Sequence, residues 1–145
     1  MFFHTKEKIM KIKTAKVKLF YAVVAGISVF LLFFFIGSIW IGYGVHRQCQ
    51  DAKREYGGDC VGALIARLED EHNGFRARNQ VIWALGQIGD MRALPILQSF
   101  YTGNIPDKEP LDGTISQYEL KKAINLTSGG TNISAFIWRF FFREK

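Results

Sequence analysis

The chain shows two hydrophobic patterns. Residues 19–45 form a run of 27 residues without a charged side chain, whereas residues 59–143 alternate apolar and polar positions with the spacing of amphipathic helices. A bilayer core about 30 Å thick needs roughly 20 helical residues, so the run is long enough to cross a membrane. We predict an all-α protein: a basic tail at 1–18, a transmembrane helix at 19–45, a juxtamembrane linker at 46–58 and a helical domain at 59–145.

Breaks in the second pattern divide that domain into helices. Asp59 is placed to cap the first helix, which ends where residues 72–74 interrupt the apolar spacing. The second and third helices are predicted over residues 75–88 and 91–101. A loop at 102–113 holds two of the three prolines, and a fourth helix follows at 114–128. The last helix begins after residue 131.

The net charge of +6 is concentrated in the tail. Residues 1–18 hold six lysines and one glutamate, whereas residues 46–145 are close to neutral. The basic character is therefore not spread over a domain, and no nucleic-acid partner is expected. By the positive-inside rule the N-terminus is cytoplasmic and the helical domain lies across the membrane. Residues 19–45 and the lysines are expected to contact lipid.

A cleaved signal peptide is the alternative to an anchor. The basic start and the apolar run fit this alternative, and Gly42-Tyr43-Gly44 resembles a cleavage site. However, the apolar region of a signal peptide spans about 7–15 residues, and this run is much longer. An uncleaved anchor is preferred.

The two cysteines follow the apolar run. Cys49 and Cys60 would face an oxidising compartment in this orientation, where pairing is expected. Gly57-Gly58 lies between them and would let the chain turn back. Two free thiols within a helix pair are the alternative. The sequence predicts a Cys49–Cys60 disulfide.

No catalytic motif is found. The chain lacks the metalloprotease, nucleophile-elbow and phosphate-loop patterns, and a zinc site near the cysteines would have only His46 as a further ligand. The acidic cluster at 69–71 is interpreted as a solvated helix face. We expect no enzyme activity, no cofactor and no metal.

Residues 84–97 carry a family signature. The segment ALGQIGDMRALPIL resembles a HEAT repeat of the short kind found in phycobilisome lyases. The resemblance implies about two helix pairs, the second one degenerate, with the last helix as a cap. The positions that carry the motif are Ala84, Leu85, Gly86, Gly89, Asp90, Ala93, Leu94, Pro95 and Leu97.

Such solenoids bind other proteins along the concave face, so the resemblance implies a non-catalytic interaction module with an unknown protein partner. The second helix of each pair would line that face. The candidate partner surface comprises Arg76, Arg78, Asn79, Trp83, Gln117, Tyr118 and Lys121.

The last helix is unusually aromatic. Ile133, Phe136, Ile137, Phe140 and Phe141 form one apolar stripe, expected to face the core, while Trp138 and Phe142 fall beside it and join the candidate partner surface. A contact of this helix with a partner or the bilayer stays open. A rival hypothesis is a small accessory membrane subunit whose span makes the specific contact through the small residues of Ala22-xxx-Gly26 and Ser38-xxx-Gly42.

Overall fold

A computed structural model gives the backbone of residues 2–142 and the side chains of residues 13–142, so the side chains of the first lysines and of the last three residues lie outside the described part. The regular secondary structure of the described residues is entirely helical, without strands. The elements are α1 (Phe2–Tyr56), α2 (Cys60–Glu69), α3 (Phe75–Ile88), a short 3₁₀ helix (Met91–Ala93), α4 (Leu94–Phe100), α5 (Gln117–Thr127) and α6 (Ile133–Phe141).

The chain divides into two compact units, the first ending at Gly37 and the second beginning at Ser38. The first unit belongs to α1, and its large apolar side chains, such as Phe30 and Phe33, are exposed. This is the one helix among the described residues that is long and apolar enough to cross a membrane.

The last five turns of α1 belong to the second unit. Residues 46–56, which the sequence predicted as part of a linker, continue the helix up to Tyr56. Val45, Cys49 and Ala52 are buried there and Tyr56 is half-buried, at spacings of four, three and four residues. This is the stripe of an amphipathic helix packed on one side. Gly57 and Gly58 then turn the chain back with φ values of 72° and 75°.

The core of the second unit lies among α2, α3, α4 and α5 and includes Ala52 of α1, which is fully buried. Its fully covered side chains include Leu64, Leu68, Ile82, Leu85, Leu97 and Leu120. The predicted helices at 59–71, 75–88 and 91–101 correspond to α2, α3 and the 3₁₀ helix with α4. The fourth is shorter than predicted because Ser116 caps α5 by accepting a hydrogen bond from the Glu119 amide.

Candidate functional site

The predicted partner surface was spread over α3, α5 and the last helix. Three of its members are exposed: Arg76 on α3, and Tyr118 and Lys121 on α5. Arg76 lies 4.0 Å from a carboxylate oxygen of Asp112, an ion pair exposed to solvent. These three side chains are accessible to another molecule.

The outer side of α5 forms a shallow groove of about 580 Å³. Beside it, the Lys122 ammonium lies 5.1 Å from the centre of the Tyr118 ring and 3.1 Å from the Glu119 carboxylate. An aromatic ring with cations beside it offers apolar area together with charge. The groove is lined by Tyr118, Lys121, Lys122, Ile124, Asn125, Leu126 and Ser128.

Arg78 and Asn79 do not belong to a surface. Arg78 is 7% exposed, and its Nε donates a hydrogen bond to the Leu68 carbonyl over 2.8 Å. Its guanidinium lies 5.2 Å from the centre of the Phe100 ring. Asn79 is 6% exposed. The assignment of these two residues to a partner surface was wrong because their polar groups are used inside the domain.

Asn79 holds the long loop before α5. Its amide nitrogen donates to the carbonyls of Leu111 and Thr114, each over 2.9 Å. Its amide oxygen accepts a bond from the Ser116 amide over 2.8 Å. A loop without regular structure needs such partners for its buried backbone groups. Asn79 is therefore the side chain that anchors the α4–α5 connection to α3.

Gln117 and Trp83 are half-buried and also serve the fold. Gln117 accepts a bond from the Thr102 amide over 2.8 Å and donates to the Phe100 carbonyl over 3.2 Å. The Trp83 ring packs against Gly44 of α1, so closely that a Cβ atom there would lie 3.2 Å from the ring. Both side chains connect neighbouring helices.

α6 is turned the opposite way from the expectation. Trp138 is buried, at 5% exposed, and Phe142 is half-buried beside His46, with ring centres 5.7 Å apart. Most of the predicted core stripe points outward: Phe136 is 86% and Phe140 82% exposed. The stripe prediction was wrong because both sides of this helix are apolar, so periodicity alone cannot select the packed side. The other exposed members are Ile133 and Phe141.

α6 packs against α1 at Gly42, which we call the seat of α6. A Cβ atom at this position would lie 2.6 Å from the Trp138 Cβ and 2.7 Å from the Phe142 ring. Ser38, one turn earlier, is also buried. Gly42 of the Ser38-xxx-Gly42 pair thus packs against a helix of the same chain.

Polar groups fix both ends of α6. The Asn132 side chain caps its start by accepting a bond from the Ala135 amide and donates to the Gln87 side chain over 2.9 Å. Near the other end, the Arg139 guanidinium donates to the carbonyls of Gln87 and Ile88. Cations at the last carbonyls of a helix are favourable, so Arg139 stabilises the C-terminal end of α3.

Cys49 and Cys60 come together as the sequence predicted. Their Cα atoms are 5.1 Å apart and the sulfur atoms are at bonding distance. The pair lies beside a cavity of about 400 Å³ between α1, α2, α3 and α6. The other residues that line it are Val45, His46, Val61, Ile88, Asp90, Trp138, Arg139 and Phe142.

Arg92 links the starts of two helical segments. It lies 2.9 Å from carboxylate oxygens of both Asp59, before α2, and Asp90, before the 3₁₀ helix. These contacts hold the pKa values of both carboxyl groups below their ordinary range and raise the pKa of Arg92. Asp90 also accepts a bond from the Arg92 amide and thereby caps the 3₁₀ helix. Asp59 stands at the N-cap position but makes no side-chain cap bond.

Tyr56 and Asp70 join the end of α1 to the α2–α3 turn. The Tyr56 hydroxyl donates to Asp70 over 2.7 Å and accepts a bond from Asn73 over 2.8 Å. Asp70 also accepts from the His72 amide over 2.9 Å. These bonds, the one from Tyr56 above all, lower the pKa of Asp70 to about 2, and the same bond raises the pKa of Tyr56.

The motif positions have structural roles. Gly86 packs against Ala123 of α5, and Gly89 ends α3 in the left-handed region with φ 68°. Ala84, Leu85, Ala93 and Leu97 are buried, Leu94 is half-buried, and Pro95 is exposed in the first turn of α4.

Sequence reasoning missed two contributors. The exposed side of α6 was assigned to the core, and Glu109 was not singled out. The Glu109 carboxylate accepts a bond from the Gln117 amide over 2.7 Å at the start of α5, a favourable place for an anion. An acidic residue in the loop before a helix was the available signal. No group of three or more His, Cys, Asp or Glu side chains suited to a metal ion lies together among residues 13–142.

A family model for the PBS lyase HEAT-like repeat matches residues 77–102, which cover most of α3, the 3₁₀ helix and α4. No curated protein and no solved structure shows significant similarity to the chain. The match and the packing of its motif residues together support a HEAT-repeat domain in this protein.

Proposed function

We propose that this chain is a single-pass membrane protein whose HEAT-like domain binds another protein and catalyses no reaction. The proposal rests mainly on the observation that the residues of the repeat motif have structural roles inside the domain. Gly86, Gly89, Asp90, Ala93 and Leu97 pack or cap the chain itself. A motif used in this way builds a scaffold and leaves the outer helix faces for a partner.

The anchor is residues 19–45. At 1.5 Å per residue, these 27 residues would extend about 40 Å as a helix, more than the roughly 30 Å of a bilayer core. The large apolar side chains of residues 19–36 are mostly exposed, which suits lipid as their surroundings. The lysines of the tail favour a cytoplasmic N-terminus and an extracytoplasmic domain.

The partner surface we propose is the outer side of α5, with Tyr118 at its centre. Tyrosine is enriched among the residues that dominate binding energy at interfaces. Lys121 and Lys122 flank it, so a partner with carboxylates opposite them would be attracted and oriented. Arg76 on α3 is a further exposed cation.

Site-specific photocrosslinking in native membranes tests this surface. A photoreactive amino acid replaces Tyr118 in the full chain, and the matched control replaces Glu69, an exposed residue on α2. We expect a discrete crosslinked band, identified by mass spectrometry, from position 118 and not from position 69. Equal bands from both positions, or none from position 118, would overturn the assignment.

The topology has its own test. A reporter that is active only in the cytoplasm, fused after Lys145, is expected to be inactive. The matched control carries the same reporter before Met1 and is expected to be active. Activity of the fusion at Lys145 would refute the proposed orientation.

A second candidate function is an accessory subunit whose span makes the specific contact. Gly42 is already occupied by Trp138 and Phe142, whereas nothing lies within 4 Å of a Cβ atom placed on Gly26. The contact would therefore use Ala22 and Gly26. Replacing residues 19–37 by polyleucine preserves an anchor and removes this pair. Retained complex formation would exclude the accessory-subunit candidate, and its loss would exclude the α5 surface as the main contact.

A further inference from the structure

We propose that α6 is an interfacial helix, whose exposed phenylalanine side lies in the bilayer surface beside the end of the span. The inference rests on the proposed anchor. It assigns a lipid-binding surface to the domain, in addition to the protein-binding surface on α5.

The first observation is the amount of apolar surface on α6. Phe136, Phe140 and Phe141 are all exposed, together with Ile133. A phenylalanine side chain covers roughly 150–250 Å² when buried, so these side chains form a patch of several hundred Å². Patches of that size mark contact sites. Trp138 and Ala135 hold the opposite side of the helix against the domain.

The second observation is the place where α6 is attached. Its seat is Gly42, and Trp138 and Ala135 also pack with Val45. The run 19–45 exceeds the roughly 20 residues that a bilayer core requires by about seven. Its last residues therefore lie at the level of the lipid headgroups, and α6 is fixed to those residues.

The third observation concerns the residues near the patch. Trp40 and Tyr43 of α1 lie in the same stretch as Gly42, and their rings are exposed. These two residue types concentrate at membrane interfaces. In sequence, the cations Arg143 and Lys145 follow the aromatic residues, a composition typical of helices that lie in an anionic membrane surface.

Depth-dependent fluorescence quenching tests the proposal in the full chain. Phe136→Cys and Phe140→Cys are each labelled with the fluorophore NBD, since Cys49 and Cys60 are paired. The proteins are reconstituted into phosphatidylcholine–phosphatidylglycerol vesicles without quencher or with lipids that carry a nitroxide on the acyl chain. The nitroxide lies near the headgroup end of the chain for positions 136, 140 and 118, and near the terminal methyl group for position 30. The matched domain control is Tyr118→Cys on α5, and the anchor control is Phe30→Cys.

We expect nitroxide lipids to remove most of the emission at positions 136 and 140 and little of it at position 118. Unchanged emission at 136 and 140, with quenching at position 30, would overturn the inference and leave the anchor intact. Unchanged emission at position 30 with the nitroxide near the terminal methyl group would refute the anchor itself. Blue-shifted emission at 136 and 140 that nitroxide lipids do not quench would indicate a protein cover, such as a second copy, and would also overturn the inference.

Discussion

Gly86 of α3 and Ala123 of α5 lie closer together than two side chains would allow. A Cβ atom on Gly86 would come within 2.8 Å of the Ala123 Cα and 2.9 Å of its Cβ. These are backbone-level contacts that a rotamer change cannot relieve. The glycine therefore sets the spacing between the two central helices of the domain.

Gly86→Ala is expected to destabilise the domain by about 1–3 kcal/mol, as for other overpacked cores. The matched control is Gly62→Ala in α2, where the added atom meets only the end of the Asp59 side chain. Helix propensity favours alanine there by up to about 1 kcal/mol. Thermal unfolding of the detergent-solubilised chain, followed by circular dichroism, distinguishes the two variants. An unchanged melting temperature for Gly86→Ala would contradict the close packing.

Gly42→Ala is expected to displace α6. The added methyl group would collide with Trp138 and Phe142, whereas nothing lies within 4 Å of the same group on Gly37. We expect faster amide hydrogen exchange across residues 133–141 in Gly42→Ala and unchanged exchange there in Gly37→Ala. Equal protection in the two variants would show that α6 does not depend on this seat.

Asn79→Ala is expected to free the loop at 102–116. The substitution leaves the buried Ser116 amide without its partner, and a buried polar group without a partner costs about 1–3 kcal/mol. The carbonyls of Leu111 and Thr114 lose their donor as well. Limited proteolysis should then cut this loop faster. Asn104→Ala, in the exposed part of the same loop, serves as the control and should leave the cleavage rate unchanged.

Reduction of the Cys49–Cys60 pair is expected to lower the stability of the domain by about 3 kcal/mol, the chain-entropy value for a loop of about this size. The Cys49→Ser, Cys60→Ser double variant should melt at the same lowered temperature with or without reductant. A melting temperature of the unmodified chain that reductant does not change would argue against the disulfide.

Asp70 makes the domain sensitive to acid. Its pKa in the folded chain is about 2, against an ordinary value of 3.8. A carboxyl group whose pKa is lower in the folded chain than in the unfolded chain stabilises the fold at pH values above its unfolded-state pKa. This stabilisation is lost as the pH falls from about 4 toward 2. Asp70→Asn should flatten this part of the stability profile. Tyr56→Phe removes the largest cause of the pKa shift and should reduce the loss of stability between about pH 4 and pH 2. The melting temperature of each variant, measured across this pH range, tests both expectations.

Much of the domain could be predicted from sequence because local signals agree with the packing there. The apolar spacing of α2 and α3, the left-handed turn at Gly89 and the cap at Asp90 each act within a few residues. Arg78 and Asn79 could not be assigned in this way. Their partners lie 10 to 37 residues away, and only the folded chain shows which carbonyls need a donor.

α6 and the end of α1 show two different limits. On α6 the spacing of apolar residues was clear, but both sides of the helix are apolar, and attachment to Gly42 decides which side is covered. At residues 46–56 a signal was present. The repeat of Val45, Cys49, Ala52 and Tyr56 follows helical spacing, yet the charged residues between them resemble those of a linker.

The seat at Gly42 also bears on processing of the protein. A signal peptidase acting after Gly44 would cut within α1 and discard both Ser38 and Gly42. The released fragment would keep its repeat but would leave one side of Trp138 uncovered. A soluble version of the domain that keeps this contact therefore has to begin before Gly42, for instance at Ser38, where the second compact unit starts. That point lies upstream of the cleavage site that the sequence suggests.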